Sequence, residues 1–460
     1  MKLTNAVFVL LLFVCAVRAD LPVHCLYATT KGQWRLDLTS QNYDNSIVKK
    51  YTIKDNITPV KSLKIDLQVP NVVTDENGNK GTWTLIYDQG FEVILNNNKY
   101  FAYFNYTTEG TKVVSNCHNT FTGWYHEIGV SAKKWGAFRA VKIDGPTPRP
   151  HVYDSVQSSP SDVVSFNTID EKFVNTINSV QKQWEATVYP CYKYLTKYQA
   201  NMMAGTVIPK FKADAHKNHV ANMQKYQVKS SNENIPKEFD WRNVDGTSFV
   251  SPVRSQGSCG SCYAFASTAM FEARMRVASK NKRQPVYSPQ EIVSCSSYSQ
   301  GCSGGFPYLI SKYAEDYGVV EESCVPYVAR DTNCTRVSCD RTHFTDIEYI
   351  GGYYGATTAE AMQKNILKYG PIAVSIQAYR DLFAYKKGVY YHVQTNDPEP
   401  FFITNHVVLI VGWGEDNGTP YWIVKNSWGE NFGLGGYVNF LRGTNECSIE
   451  SLVPTTVPVL

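Results

Sequence analysis

The segment Gln256-Gly-Ser-Cys-Gly-Ser-Cys262-Tyr-Ala-Phe-Ala puts a cysteine where a helix should begin. Ser261 to Ser279 holds no Gly or Pro, and Phe265, Ala269, Ala273 and Val277 repeat at helical spacing. A helix N-terminus carries unpaired N–H groups and the positive end of the dipole, which favour thiolate over thiol. That is how a cysteine becomes a nucleophile near neutral pH. Two other roles fit the same Cys259-x-x-Cys262 pair: a half-cystine, or a zinc ligand. A nucleophilic thiol needs a base. Among nine His, His406 stands at the head of the apolar run Val407–Val411, although a single His at a strand end is more often a satisfied side chain. A third partner comes from Lys425-Asn-Ser-Trp-Gly429. Asn426 can accept from the imidazole N–H and hold its orientation, and Trp428 can cover that bond. Gln256 can offer its amide to an oxyanion beside the backbone N–H of Cys262.

The elements that must position these residues follow from the pattern. From Ile235 onward a helical half is followed by a β half: Ile372-Ala-Val-Ser-Ile, Val407–Gly412 and Tyr421–Asn426 read as strands. A cleft between two such lobes is the expected place for the site. Residues 20–140 read as all-β. Thr82 to Tyr106 is rich in Trp, Tyr, Phe, Ile and Val, broken by Asp88-Gln-Gly90 and Asn96-Asn-Asn98 as hairpin turns. Cys25 and Cys117 are the only cysteines there and are expected to pair. A Pro- and Ser-rich linker spans 145–165. Phe173, Ile177, Val180 and Trp184 predict a helix from Asp170 to about Glu185, and Gly205–Lys237 reads as exposed and easily nicked. The expected class is α+β: a barrel or sandwich, then a two-lobed domain.

The 460 residues include 45 Lys+Arg and 41 Asp+Glu, a formal charge of +4 that is too small and dispersed for a nucleic-acid partner. Lys2, the apolar run Ala6–Ala16 and Val17-Arg18-Ala19 predict a secretory signal over 1–19, leaving Asp20 as the mature N-terminus. No later stretch is long and apolar enough to span a membrane. Loss of Cys15 with the signal turns twelve cysteines into eleven, so an oxidising compartment leaves at least one thiol. Sequons at Asn56, Asn105, Asn333 and Asn417 fit that compartment.

Cys259-Gly-Ser-Cys-Tyr263 with its upstream Gln, Asn405-His-Val and Asn426-Ser-Trp-Gly together resemble the signature of papain-like cysteine proteases, in order and spacing. Tyr263, Gly301-Cys-Ser-Gly-Gly-Phe-Pro-Tyr308, the start Asp20-Leu-Pro-Val-His-Cys and the run Ile86-Tyr-Asp-Gln-Gly-Phe-Glu-Val93 resemble the members that release dipeptides and carry an N-terminal exclusion domain. The resemblance implies a β-barrel exclusion domain over 20–140 and an activation peptide over 141–234. It implies a papain-like peptidase domain over 235–460, cut into a heavy chain of about 235–396 and a light chain of about 397–460. It also implies Cys262 as nucleophile, His406 as base, Asn426 as orienter and Gln256 as oxyanion donor. Asp20 would bind the substrate's free amine, with Gly304, Gly305 and Trp428 contacting substrate. Phe306, Tyr308 and Tyr349 would hold a chloride ion, and no metal is implied. The implied bridges are Cys25–Cys117, Cys259–Cys302, Cys295–Cys334 and Cys324–Cys339. A homotetramer acting in lysosomes on peptides and proteins with free N-termini completes the expectation. An endopeptidase of the same fold, or a non-enzymatic peptide-binding relative, are the alternatives. The chain departs from the pattern in lacking a second cysteine pair within 20–140, in having Phe432 where Trp is usual, and in Cys191 and Cys447, which have no evident partner.

Overall fold

A computed structural model describes residues 21, 23–42, 57–110, 112–129, 134–145, 151–154, 166–207, 210–226, 235–335, 337–394 and 404–460. The signal segment, Asp20, the Asn56 sequon and the implied cut near Asp397 lie outside them.

Nine strands build the N-terminal part: β1 (Gly32–Leu38), β2 (Lys61–Gln68), β3 (Val72–Asp75), β4 (Lys80–Ile86), β5 (Gly90–Leu95), β6 (Asn98–Glu109), β7 (Lys112–Thr120), β8 (Gly123–Glu127) and β9 (Trp135–Lys142). Eight of them run in the order β1-β2-β3-β4-β5-β6-β8-β9, and β9 pairs back onto β1 to close an antiparallel barrel. β7 lies beside it, paired with β6. Alternation sets the faces: Trp34, Leu36 and Leu38 of β1 are buried, while Gln33 and Arg35 are not. In β5 and in Lys99–Phe104 of β6 both faces are buried, because the outer face packs on the peptidase domain. The β5–β6 turn puts Asn96 and Asn97 in the left-handed region, at φ 51° and 60°, a conformation that asparagine tolerates and that matches the strand twist. Cys25–Cys117 ties the N-terminal stretch to β7.

The helix in the following segment is shorter than its spacing predicts. It spans Glu171–Val180, capped by the Asp170 carboxylate on the Phe173 N–H, and buries Phe173, Val174 and Ile177. Val180 is exposed and Trp184 belongs to a strand, Trp184–Ala186, paired with Tyr385–Tyr390. Gln181 ends the helix by closing both its amide atoms on the Trp184 backbone. Gly205–Lys237 also departs from expectation. It contains the helix Lys210–Met223, in which Lys212, His216, His219, Val220 and Met223 are buried.

In the C-terminal domain the helix Cys262–Ala278 is buried around its whole circumference from Cys262 to Arg276. Two of its buried charged side chains, Glu272 and Arg274, have specific partners. Arg254 sits 3.1 Å from Glu272, and Arg274 donates to Thr455 Oγ1 and Asn365 Oδ1 at 2.7 Å each. The strand Thr404–Asp416 packs on this helix and pairs with Ile372–Ala378 and Thr419–Lys425. Two strands of the same sheet, Trp184–Ala186 and Thr206–Val207, come from the segment between the barrel and the peptidase domain. Bridges Cys259–Cys302, Cys295–Cys334 and Cys324–Cys339 staple the helical half.

Candidate active site

Cys262 is the first residue of the central helix, and its Sγ is buried. Cys259 is bonded to Cys302, which removes it from any zinc pair and leaves Cys262 as a thiol. His406 lies opposite Ile376 in the sheet and is fully buried. Asn426 Oδ1 accepts the Ser427 backbone N–H at 2.8 Å, which orients the amide. His406 Nε2 lies 2.8 Å from the same oxygen and therefore carries a proton. Nδ1 is left as a lone pair without a hydrogen-bond partner among the described residues. Trp428 stacks on His406 at 4.9 Å and shields this hydrogen bond from water. Phe432, in place of the usual Trp, packs edge-on against Trp428 at 4.8 Å.

Ser427 Oγ donates to Gln256 Oε1 at 2.6 Å, so the Gln256 Nε2 donors face the opposite way, toward the Cys262 helix. Ser427 is a functional neighbour that the sequence reading passed over, although it lies inside the quoted Asn-Ser-Trp. Gly304 and Gly305 run beside Tyr263. A Cβ on Gly305 would come within 2.8 Å of the Tyr263 ring, so only glycine lets the chain pass there.

A stretch of the chain itself covers this site. The helix Lys197–Ala204 ends over Cys262, and Gly205, at φ 90°, turns the backbone into Thr206–Val207, which pairs with Thr404–Asn405. The Met203 carbonyl accepts Gln256 Nε2 at 3.0 Å and Trp428 Nε1 at 3.1 Å. The Ala204 carbonyl lies 3.7 Å from Cys262 Sγ. Burial under this segment pushes the Cys262 thiol up to about 12 and pulls His406 down to about 4, the latter against the raising effect of Asn426. The dipole argument from the helix N-terminus is therefore overridden by desolvation while the segment is in place.

Asp20 lies outside the described residues, but the stretch that follows it is anchored: Lys212 Nζ donates to the Leu21 and Val23 carbonyls at 3.0 and 2.7 Å. Phe306, Tyr308 and Tyr349 are buried together, with the two tyrosine rings stacked at 4.6 Å and Phe306 stacked on Tyr87 of the barrel at 5.1 Å. The Tyr349 hydroxyl oxygen takes the Tyr87 backbone N–H, which leaves its own O–H to donate. The Tyr308 hydroxyl donates to Glu92 at 2.9 Å. The trio thus fits an anion through Tyr349 and the aromatic edges, and through Tyr308 only once its hydroxyl turns from Glu92. Cys191 and Cys447 are unbridged, the first exposed and the second buried.

A thiol at a helix start, an oriented imidazole and an amide donor set, all reached by a peptide backbone, define a thiol peptidase site. Residues 235–457 match the family model described as papain family cysteine protease, and residues 20–142 match that of the cathepsin C exclusion domain. The chain belongs to the papain family of cysteine peptidases, in the branch that carries the cathepsin C (dipeptidyl peptidase I) exclusion domain. Cathepsin C of Schistosoma mansoni is 40% identical over 97% of this chain and 96% of its own. A gut-specific cysteine proteinase of Caenorhabditis elegans is 32% identical over 52% of this chain and 78% of its own. Among solved structures, procathepsin B S9 from Trypanosoma congolense superposes with a TM-score of 0.53 at 26% identity, covering 64% of this chain and 99% of that one.

Proposed function

We propose that this chain is the precursor of a cysteine exopeptidase that removes dipeptides from the free N-termini of peptides and proteins. The observation that supports it most is the Met203–Ala204 backbone seated on Gln256, Trp428 and Cys262 beside a closed barrel, because a cleft that holds one peptide backbone is built to hold another. In the uncovered enzyme, His406 Nδ1 takes the Cys262 thiol proton and the thiolate attacks the scissile carbonyl carbon. Gln256 Nε2 and the Cys262 backbone N–H stabilise the oxyanion. His406 then gives its proton to the departing amine, leaving a thioester. Water, deprotonated by His406, hydrolyses that thioester and restores the thiol. Asn426 keeps the imidazole in the tautomer these steps need.

Gly304, Gly305 and Trp428 line the substrate's path, and the Asp20 carboxylate pairs with its free ammonium. Residues 141–234 act as an activation peptide, with cuts that leave heavy and light chains of about 235–396 and 397–460. Phe306, Tyr308 and Tyr349 hold a chloride ion near the substrate's second side chain. The mature enzyme is a homotetramer of processed chains in lysosomes, reached through the secretory pathway.

The test is a fluorogenic dipeptidyl substrate with a free or an acetylated amine. A charge-assisted pair of this kind contributes about 1–3 kcal/mol, so Asp20→Asn should lower kcat/KM for the free-amine substrate by roughly 5- to 150-fold. The acetylated form should be refused by the processed enzyme. Efficient cleavage of the acetylated form would remove Asp20 from its role and favour an endopeptidase.

A further inference from the structure

The barrel and the peptidase domain meet across a patch of buried charge. Glu92 of β5, Lys99 of β6 and His126 of β8 face Lys312, Glu315 and Asp316 of the helix Pro307–Asp316. All six side chains are at most 5% exposed. Lys99 Nζ holds both Glu315 oxygens, at 2.9 and 3.0 Å, and lies 3.9 Å from Glu92. Lys312 reaches back to Glu92 at 3.4 Å and along its own helix to Asp316 at 3.5 Å. His126 Nε2 lies 3.2 Å from Asp316, whose other oxygen accepts the Tyr298 hydroxyl. Three of the ligand atoms, on His126, Glu315 and Asp316, are close enough to share a metal ion. The two ammonium groups, on Lys99 and Lys312, stand among the three carboxylates and offset most of their charge without one.

Charges buried across an interface add little raw affinity, since each must be desolvated, but they penalise every arrangement that leaves one unpaired. Apolar contacts supply attraction here: Phe101 and Trp124 of the barrel pack on Tyr298 at 6.0 and 5.4 Å. Such rings tolerate sliding, whereas the ion network admits a single register. The helix that carries it begins at Pro307, directly after Gly304, Gly305 and Phe306. Whatever fixes the barrel on this helix therefore fixes its distance from the substrate path.

We propose that the Glu92–Lys99–His126 and Lys312–Glu315–Asp316 network is the docking lock that sets the position of the barrel over the cleft. It retains the barrel as a separate polypeptide once the connecting chain is cut, and so confines cleavage to chain ends. The inference rests on the exopeptidase reading above. Its test uses the full chain, cut within 155–165 and 227–234 by inserted protease sites, and asks by size-exclusion chromatography whether the barrel stays with the peptidase domain. Lys99→Met and Glu315→Gln should each raise the barrel's dissociation constant at least tenfold, and Lys99→Arg should restore much of the loss. Glu315→Gln changes only the peptidase side, so it reads out the lock even if Lys99→Met unfolds the barrel. Unchanged dissociation in both variants would overturn the lock and leave the exopeptidase reading standing. Release of the barrel with blocked peptides still refused would keep the lock and overturn the exclusion reading instead.

Discussion

Two opposed effects act on the Cys262 thiol. The helix N-terminus favours its thiolate, and burial under Met203–Ala204 favours the thiol. Burial wins in the covered chain, where the thiol is pushed up to about 12 and His406 is pulled down to about 4. Near pH 7 both groups are then neutral and Cys262 is a poor nucleophile. Iodoacetamide should label it in the uncut chain at least tenfold more slowly than after the covering segment is removed, read by peptide mass spectrometry. Because the exposed Cys191 leaves with that segment, a small-molecule thiol added equally to both samples serves as the reference. Equal labelling of Cys262 before and after the cut would mean that the segment does not suppress the thiolate. Cys262, His406, Asn426 and Gln256, which the structure brings together, could be picked out of the sequence because the chemistry proposed for them demands those side chains at those places. The Met203 and Ala204 contribution was not, because it comes from backbone carbonyls that any residue could supply. Ser427 was equally silent, since a hydroxyl that orients an amide leaves no spacing of its own.

The element that resisted prediction most is the helix Lys210–Met223. Its buried face is made of Lys212, His216 and His219 along with Val220 and Met223, so it lacks the apolar stripe that marks a docking helix. Each polar group has a specific partner instead. Lys212 pairs with Asp88 at 3.2 Å, which also binds His24 at 2.7 Å. His216 bonds the Tyr354 hydroxyl and packs on Tyr87, and His219 stacks between Tyr27 and Tyr354 at 5.1 and 4.6 Å. Burial lowers His216 to about 3, against the raising effect of Asp88, and lowers His219 to about 4. A histidine depressed in the docked state leaves docking unpenalised above its free value of about 6.5. Docking is then weakened as pH falls from there toward the docked value, because the free form takes up the proton. The penalty at pH 5 is on the order of 1–2 kcal/mol for each of the two, and the covered His406 acts in the same direction. Amide-hydrogen protection in 210–223, taken relative to the intrinsic exchange rate at each pH, should therefore fall between pH 6.5 and 4, with His219→Phe flattening the dependence. Equal protection at pH 5 and pH 7.5 would rule out acid release. Strand and turn placement in the barrel was easier to read, because alternation and the Asn96–Asn97 turn speak locally. The helix after Asp170 was overrun to Trp184 because that Trp keeps helical spacing while lying in a strand.

At the scale of the molecule, specificity is a matter of which domain stands in front of the cleft. The barrel closes on itself through β9 and β1 and carries its own bridge, Cys25–Cys117, so it holds together as a unit. The peptidase domain has its own buried helix, its own sheet and three bridges, and none of these bridges crosses to the barrel. Removing residues 20–142 should therefore leave a peptidase domain that still folds. The face it uncovers is mixed: Tyr298 and Phe306 would lose their aromatic partners on the barrel, while Lys312, Glu315 and Asp316 would regain water and Tyr308 would exchange Glu92 for solvent. With the segment 141–234 then cleaved away, nothing would bar the cleft beyond the substrate's second residue, and the amine anchor proposed at Asp20 would be gone. The shortened enzyme should cut N-acetylated peptides internally and lose its preference for free N-termini, by at least tenfold in the ratio of kcat/KM values. Measured on peptides of equal sequence with free and blocked ends, an unchanged ratio in a folded, labelable Cys262 enzyme would show that the restriction to dipeptides arises within the peptidase domain.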